Sequence, residues 1–509
     1  MNRRSFLSSL LALAAAPVGA AGLTEDPAGP PVVGSKPFDL NELIEYVRQS
    51  STRPFQARPQ VPKAWRDLSY DQYKSIWFRF DRALWNGTDT PYRVDFFHPG
   101  LYFPRAVQVN VVEDGVSHRL GFDFAQFDKT DKVPNLPLDA NMGFSGLRLR
   151  TEFNQPGIYE EFFVMQGASY FRAIGEAQTY GLSARGLAIG TGSEEGEEFP
   201  DFTEFWLERP EPGSDKITLH AMMDSPSATG IYTFDVMQGL PTVIDVRAHL
   251  FPRKPLENIG LAPLTSMFLY DSTNRTRFDD FRPAVHDNNG LLVQNGAGET
   301  LWRQLANPTR LQISSFVDEN PKGFGLMQRA RKFSDFNDLE AHYHNRPGLW
   351  IEPAGDWGRG SVTLVEIPAD KEIYDNIVAY WRPREPLPVS EDHEFSYRMY
   401  WGGEPAAAQP VAKVVKTAIG RGFQGQLLAV IDFENHAAVP DDLEQVVKFT
   451  GASRGSTTDG VLQRNPETGG PRLAFSFDPG NARAVDLRAQ LRHGDRNISE
   501  VWMYRWSTT

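Results

Sequence analysis

The sequence predicts an all-β protein built as two β-sandwiches, a large N-terminal one and a small C-terminal one. Three observations predict it. Short runs rich in β-branched and aromatic residues, bounded by turn residues, recur from about residue 90 to the C-terminus. Helical spacing of apolar residues is scarce. A Gly-, Pro- and Ala-rich stretch, Trp401-Gly402-Gly403-Glu404-Pro405-Ala406-Ala407-Ala408-Gln409-Pro410, interrupts the strand pattern and reads as a linker.

The chain opens with Met1-Asn2-Arg3-Arg4-Ser5-Phe6-Leu7, an apolar stretch from Leu10 to Ala16, and Val18-Gly19-Ala20-Ala21. Paired arginines before a short apolar segment and a small-residue cleavage site predict a twin-arginine export signal over 1–21. The apolar stretch falls short of the roughly 20 residues that span a bilayer, so cleavage and a periplasmic location are expected. Residues 22–37, rich in Pro and Gly, are expected to be a disordered leader. Asp39 to Gln49 has helical spacing with Asp39 or Asn41 as cap; Asp71 to Trp85 is a weaker helix candidate.

Strands are expected at Tyr92-Phe97, Val107-Val112, Ile217-Met222, Tyr232-Met237, Thr242-Phe251, Leu311-Phe316, Ser361-Ile367 and Asn376-Trp381, with one short helix at Ser334 to His342. Residues 38–401 would form the large domain and 402–410 the linker. Beyond it, runs at Gln426-Phe433, Val446-Thr450, Arg472-Phe477, Ala484-Arg492 and Ser499-Trp506 suit an immunoglobulin-like sandwich over 411–509.

Composition narrows the function. The 509 residues contain no cysteine, which excludes disulfides, thiolate metal sites and a cysteine nucleophile. The formal net charge is -13, and loss of the signal removes two arginines and no acid. Such a surface repels nucleic acid and anionic lipid and suits neutral ligands. The chain holds 11 Trp, 16 Tyr and 34 Phe, enough to stack on sugars as well as to fill a β core. No phosphate loop, metal-ligand spacing or serine-nucleophile elbow occurs, so no metal or cofactor is expected.

What remains is carboxylates among aromatics, amides and arginines. One cluster is Phe281-Arg282-Pro283-Ala284-Val285-His286-Asp287-Asn288-Asn289-Gly290, followed by Trp302 and Arg303. A second is Trp350 to Gly360, with Trp357. A third is Glu366 to Asn376, with Glu372, Tyr374 and Asp375, leading into a strand. Two carboxylic acids are what glycoside hydrolysis requires, and Asp287 and Asp375 sit where a strand end could present each to a cleft. An Asp beside Asn and Gly serves equally as an Asx-turn or cap, and the residues alone leave both readings open.

Tyr170-Phe171-Arg172, Tyr180 to Ala188, Gly196 to Pro200, Ala262 to Phe268, His286-Asp287, Gly323 to Leu326 and Asp375 to Trp381 together resemble the osmoregulated periplasmic glucan biosynthesis proteins, which come in G and D types. The resemblance runs from about residue 37 to 509, and the twin-arginine signal is similar to that of the D type. It implies a galactose-mutarotase-like β-sandwich followed by an immunoglobulin-like domain. It also implies β-1,2-glucan as substrate and, for D-type members, inverting endo-β-1,2-glucanase activity. On the same basis Asp375 matches the family's general acid and Asp287 its general base. The loop departs from the family's common His-Asp-Ser-Asn/Asp-Gly by carrying Asn288.

Asp375 is then expected to be kept protonated by burial against Tyr374 or Tyr380, or by Glu372. Asp287 is expected to be held as carboxylate by Arg282 or Arg303. Tyr343, Glu372, Trp302, Trp357, Arg185, Arg172 and Tyr170 are the candidate glucan-binding residues. Alternatives are a non-catalytic glucan-binding or assembly factor for a membrane-bound glucan synthase, and a glucan transferase. A homodimer is the candidate assembly.

Overall fold

The computed structural model describes residues 29–389, 391–405 and 411–508. The export signal at 1–21, the first part of the leader and linker residues 406–410 lie outside the described residues. The chain is nearly all β. The helix expected near residue 40 runs Leu40–Ser51, and Asp39 caps it by accepting from the backbone amides of Asn41 and Glu42 at 2.8 and 3.1 Å. Its buried Leu43 and Val47 dock against the outside of the large sheet.

Among the described residues one sheet has sixteen strands and a second has ten. The long strands Lys216–Asp224, Ala228–Met237, Thr242–Pro252 and His393–Gly402 lie side by side at the centre of the first. The second runs Gln312–Glu319, Arg359–Glu366, Ile377–Pro383, Ile259–Ser266, Ser183–Arg185, Tyr170–Ala173 and onward to Tyr92–Phe97. The inner faces of the two sheets bury one apolar core. Phe171 of the second sheet meets Phe234 of the first edge-on at 5.2 Å, and Leu264, Ala379 and Trp381 are fully enclosed.

Register decides what the opposite face of the second sheet carries. Tyr170 pairs with Arg185, Ala184 with both Phe171 and Leu264, Ser183 with Thr265, and Thr265 with Val378. Phe171, Ala184, Leu264 and Ala379 therefore point inward, and the period of two turns Tyr170, Arg172, Ser183, Arg185 and Thr265 outward. A run of arginine, hydroxyl and phenol side chains is thus laid on a rigid apolar backing.

The C-terminal residues form a further sandwich. Val414–Arg421, Leu427–Phe433 and Pro471–Asp478 pack on Ala484–His493 and Val501–Ser507 around Ile431, Phe475, Leu487 and Trp502. Val501–Ser507 also pairs in parallel with Thr300–Gln304, so this unit extends the large sheet rather than hanging from it. Linker residue Glu404 is pinned at the junction. Arg329 bonds Glu404, makes two 2.7 Å bonds to Glu500, and stacks 3.7 Å over the Trp302 ring. Arg329→Met would leave nearly buried Glu500 without a cation and Glu404 with Lys413 alone, and is expected to cost about 3–5 kcal/mol. A urea midpoint equal to that of the unaltered protein would contradict this.

Three expected elements differ. The short helix expected at Ser334 to His342 is only a 3₁₀ turn, Phe333–Asp335, with a second such turn, Tyr343–Asn345, beyond it. Residues 32–37 of the leader form a strand, Val32–Pro37, on the edge of the large sheet beside Val116–Leu120. Its side chains are all exposed, so backbone pairing and a 2.9 Å bond between Ser35 Oγ and His118 Nδ1 hold it, and no burial pattern marks it. The helix expected over Asp71 to Trp85 is instead a single turn, Tyr70–Tyr73, then a strand, Ile76–Phe78, and a short 3₁₀ turn, Phe80–Arg82. Ile76 and Phe78 are buried where that strand pairs with Phe127–Lys129, and tertiary packing overrides the weak helical spacing.

Candidate active site

The outward face of the second sheet meets two loops. One ends in Asp375, just before Ile377–Pro383. The other carries Asp287, just after the two-residue strand Val285–His286. Each aspartate is fixed by the residue that follows it. Asn376 accepts from the Phe268 amide at 2.8 Å and donates to the carbonyls of Phe268 and Ile367. Asn288 accepts from Ser266 Oγ at 2.7 Å and donates to the Pro347 carbonyl at 3.1 Å. Asn288 thus ties the Asp287 loop to strand Ile259–Ser266 on one side and to the segment after Tyr343 on the other. Gly290 ends the motif because Trp302 lies on it: a Cβ there would sit 2.1 Å from the indole.

The two aspartates have opposite surroundings. The Asp375 side chain is 13% exposed, and its Oδ2 has no hydrogen-bond partner among the described residues. Its nearest counter-charge is Arg172, with Nη2 3.8 Å away, too long for a hydrogen bond. Burial raises its pKa to about 6; Arg172 opposes the shift and the charge of Asp287 reinforces it. Asp287 is 3% exposed and ion-paired through Oδ1 with the buried guanidinium of Arg346, and its amide donates to the Met267 carbonyl at 2.9 Å. His286 is enclosed between Phe268 and Phe336, and burial lowers its pKa to about 3, so it stays neutral.

Two electrostatic expectations are corrected. Arg346, not Arg282 or Arg303, holds Asp287. Arg282 is committed to Asp280, Asp338 and Glu372, each at 2.8 Å, and Arg303 to buried Glu366 at 2.9 Å. The raised pKa of Asp375 comes from burial and Asp287, not from Glu372, whose carboxylate is neutralised by Arg282.

Of the candidate binding residues, five gather here. Arg172 donates to Ser183 Oγ at 2.7 Å. Arg185 donates to Thr265 Oγ1 at 3.0 Å and Glu197 at 2.6 Å, and lies over the Tyr170 ring at 5.2 Å. Burial pushes the Tyr170 phenol up to about 12. Tyr343 donates its hydroxyl to Glu372 at 3.2 Å, and Arg346 stacks on its ring at 4.4 Å. The other two are placed elsewhere. Trp302 is 1% exposed in the C-terminal core, with its indole N–H on Gln304. Trp357 packs on Trp381, Phe395 and Tyr397. A large indole serves a core as readily as a sugar, and here packing took both. Arg346, Asn376 and Glu197 were given no role in the sequence, and Asn288 was marked only as a departure from the common loop; adjacency to the aspartates is the signal that could have flagged the two asparagines.

A cavity of about 840 Å³, lined among others by His344, Asn345, Trp350 and Tyr400, shares the 343–346 segment but contains neither aspartate. Among the described residues no group of three or more His, Asp or Glu side chains is arranged to hold a metal ion.

Fold and site together define an all-β protein carrying two buried, mutually interacting aspartates within a wall of arginines and hydroxyls. The sequence model for the family described as "Periplasmic glucan biosynthesis protein, MdoG" matches residues 38–506, and the chain belongs to that family. Its curated relatives include glucans biosynthesis protein G of Vibrio cholerae serotype O1, 44% identical over 476 residues, covering 92% of this chain and 87% of the relative. The protein of that name from Shewanella baltica is 43% identical over 475 residues, with the same coverage. That from Shewanella frigidimarina is 44% identical over 476 residues, covering 92% and 85%. The family is periplasmic. Among the described residues no helix is long and apolar enough to cross a membrane.

Proposed function

We propose that the protein is an inverting endo-β-1,2-glucanase that trims or releases periplasmic glucans, with Asp375 as general acid and Asp287 as general base. The observation that supports this most is the contrast between the two aspartates: one buried with an unpartnered oxygen and a pKa of about 6, the other ion-paired to Arg346. Environments that push two carboxyl groups apart divide acid from base.

In this mechanism Asp287 takes a proton from a water as the water oxygen bonds to the anomeric carbon. The carbon–oxygen glycosidic bond breaks, and the leaving oxygen receives the Asp375 proton, directly or through a bridging hydroxyl. Attack from the face opposite the leaving group inverts the anomeric centre. Arg172, Arg185, Tyr170, Tyr343 and Glu372 bind and orient the sugars by hydrogen bonds.

The sign of the pH dependence follows. A carboxyl with a raised pKa donates below that pKa and is spent above it, so kcat/KM, which reports the free protein's acid, is expected to fall through about pH 6 on the alkaline side. Reducing-end release from purified linear β-1,2-glucan, followed across pH, tests both statements. No release at any pH would remove the hydrolase reading; a kcat/KM flat from about pH 5 to 8 would remove Asp375 as the titrating acid.

The names of the relatives favour a second reading. They are glucans biosynthesis proteins of the G type, and a non-catalytic glucan-binding factor that helps a membrane-bound glucan synthase is the alternative. A glucan transferase, with a sugar hydroxyl replacing water, would be distinguished by products longer than the starting chains. The Arg3-Arg4 pair supports export by the twin-arginine route. Replacing both arginines with lysine is expected to leave the protein in the cytoplasm, and undiminished periplasmic protein would contradict that route.

A further inference from the structure

Arg282 gathers three chain segments beside the site. Its guanidinium bonds Asp280, Asp338 and Glu372, each at 2.8 Å. Next in sequence to these four residues stand three apolar side chains left in solvent: Phe281 at 79% exposure, Leu339 at 76% and Ile373 at 40%. An exposed apolar residue standing alone needs no explanation. Three on segments that one half-buried guanidinium joins, and that Tyr270, Asp338 and Tyr343 hold by further hydrogen bonds, form an apolar rim.

The rim is continuous with the aspartates. Glu372 accepts from the Tyr343 hydroxyl, the Tyr343 ring is stacked by Arg346, and Arg346 pairs with Asp287. It therefore adjoins Glu372, a candidate glucan-binding residue that this relay links to Asp287. The C–H face of a pyranose is flat and apolar and its edge carries hydroxyls. An open phenyl ring with carboxylates beside it offers a match to both. A lipid surface fits poorly, because Asp280, Asp338 and Glu372 outnumber the one arginine on a chain of net charge -13. Three side chains are also far short of the roughly 800 Å² per partner of a standard protein interface.

We propose that Phe281, flanked by Leu339 and Ile373, is a distal sugar-stacking subsite that selects long glucan chains over short ones. This rests on the proposed glucanase reading. The test compares the unaltered protein with Phe281→Ala and Phe281→Tyr on linear β-1,2-glucan polymer and on a β-1,2-linked tetrasaccharide. Phe281 is exposed, so neither variant disturbs a core. Phe281→Ala is expected to lower the ratio of kcat/KM for polymer over tetrasaccharide by about three- to tenfold, the range that one aromatic stacking contact supplies. Phe281→Tyr, which keeps the ring, is expected to restore it.

A ratio that Phe281→Ala leaves unchanged while the unaltered protein cleaves both substrates would overturn the subsite and leave the glucanase reading standing. The same ratio accompanied by a change in sedimentation would hand the rim to a second copy of the chain, and would also overturn it. If the unaltered protein cleaves neither substrate, the glucanase reading is what has failed. Calorimetric binding of the polymer then decides the subsite: weaker binding by Phe281→Ala upholds it, and equal binding overturns it.

Discussion

Asp375→Asn is expected to lower turnover of linear β-1,2-glucan by about 10²–10⁴-fold, the range a positioned general acid contributes, and at the same time to stabilise the fold above about pH 6. The second half follows from linkage. The Asp375 pKa in the folded protein is about 6, above its ordinary 3.8, so the native state binds that proton more tightly than the unfolded chain does. The stability this confers is fully present below about pH 4 and is lost as pH rises through about 6. An amide carries no charge to bury, so Asp375→Asn escapes that loss. Thermal melts should place the variant above the unaltered protein at about pH 7.5. A variant less stable at that pH would show that Asp375 has a partner the account omits.

Asp287→Asn is expected to lose turnover on a similar scale and, unlike Asp375→Asn, to lose stability. Arg346 is 5% exposed and Asp287 is its ion-pair partner. An amide accepts a hydrogen bond but leaves the guanidinium charge buried and uncompensated, at a cost of about 3–5 kcal/mol. Adding Arg346→Met removes that charge. The double variant should recover much of the melting temperature and none of the turnover. Recovery of turnover would show that Arg346 had been damaging the site in the absence of its partner, and that Asp287 is not the base.

The contrast between these two residues was expected from the resemblance, but the contacts that produce it could not be read from the chain, whereas most of the fold could. Strands such as Tyr92–Phe97 and Thr242–Pro252 announce themselves because their β-branched and aromatic residues are there to fill one core. Val32–Pro37 did not, because an edge strand with every side chain in water leaves no pattern of burial. Ile76–Phe78 was hidden within a stretch whose apolar spacing also fits a helix. At the site, the Asp-Asn and His-Asp strings carried the aspartates only through family resemblance. The ion pairing depends on contacts across the sheet: Arg346 lies 59 residues from Asp287, while Arg282, five positions away, turns to Asp280, Asp338 and Glu372. Trp302, buried in the C-terminal core, and Trp357, partly buried against Trp381, lie apart from the aspartates, because an indole that packs and one that stacks on a sugar are the same residue type in different surroundings.

Adjacent polar residues did more than composition suggested. Asn376 and Asn288 look like turn formers, yet each makes bonds that bridge separate parts of the chain and hold the neighbouring aspartate in place. Ser183, Thr265 and Glu197 fix the arginine wall in the same manner. The sheet register sets these side chains on one face, and their mutual hydrogen bonds fix their orientation before any ligand arrives.

The most direct test follows the anomeric configuration of newly released reducing ends by proton NMR while the purified protein acts on linear β-1,2-glucan, with Asp375→Asn in parallel. The account predicts short oligosaccharides whose first-formed ends are α, the inverse of the β-linkage cleaved, and no product from Asp375→Asn. First-formed β ends, or an Asp375→Asn protein as active as the unaltered one, would contradict it.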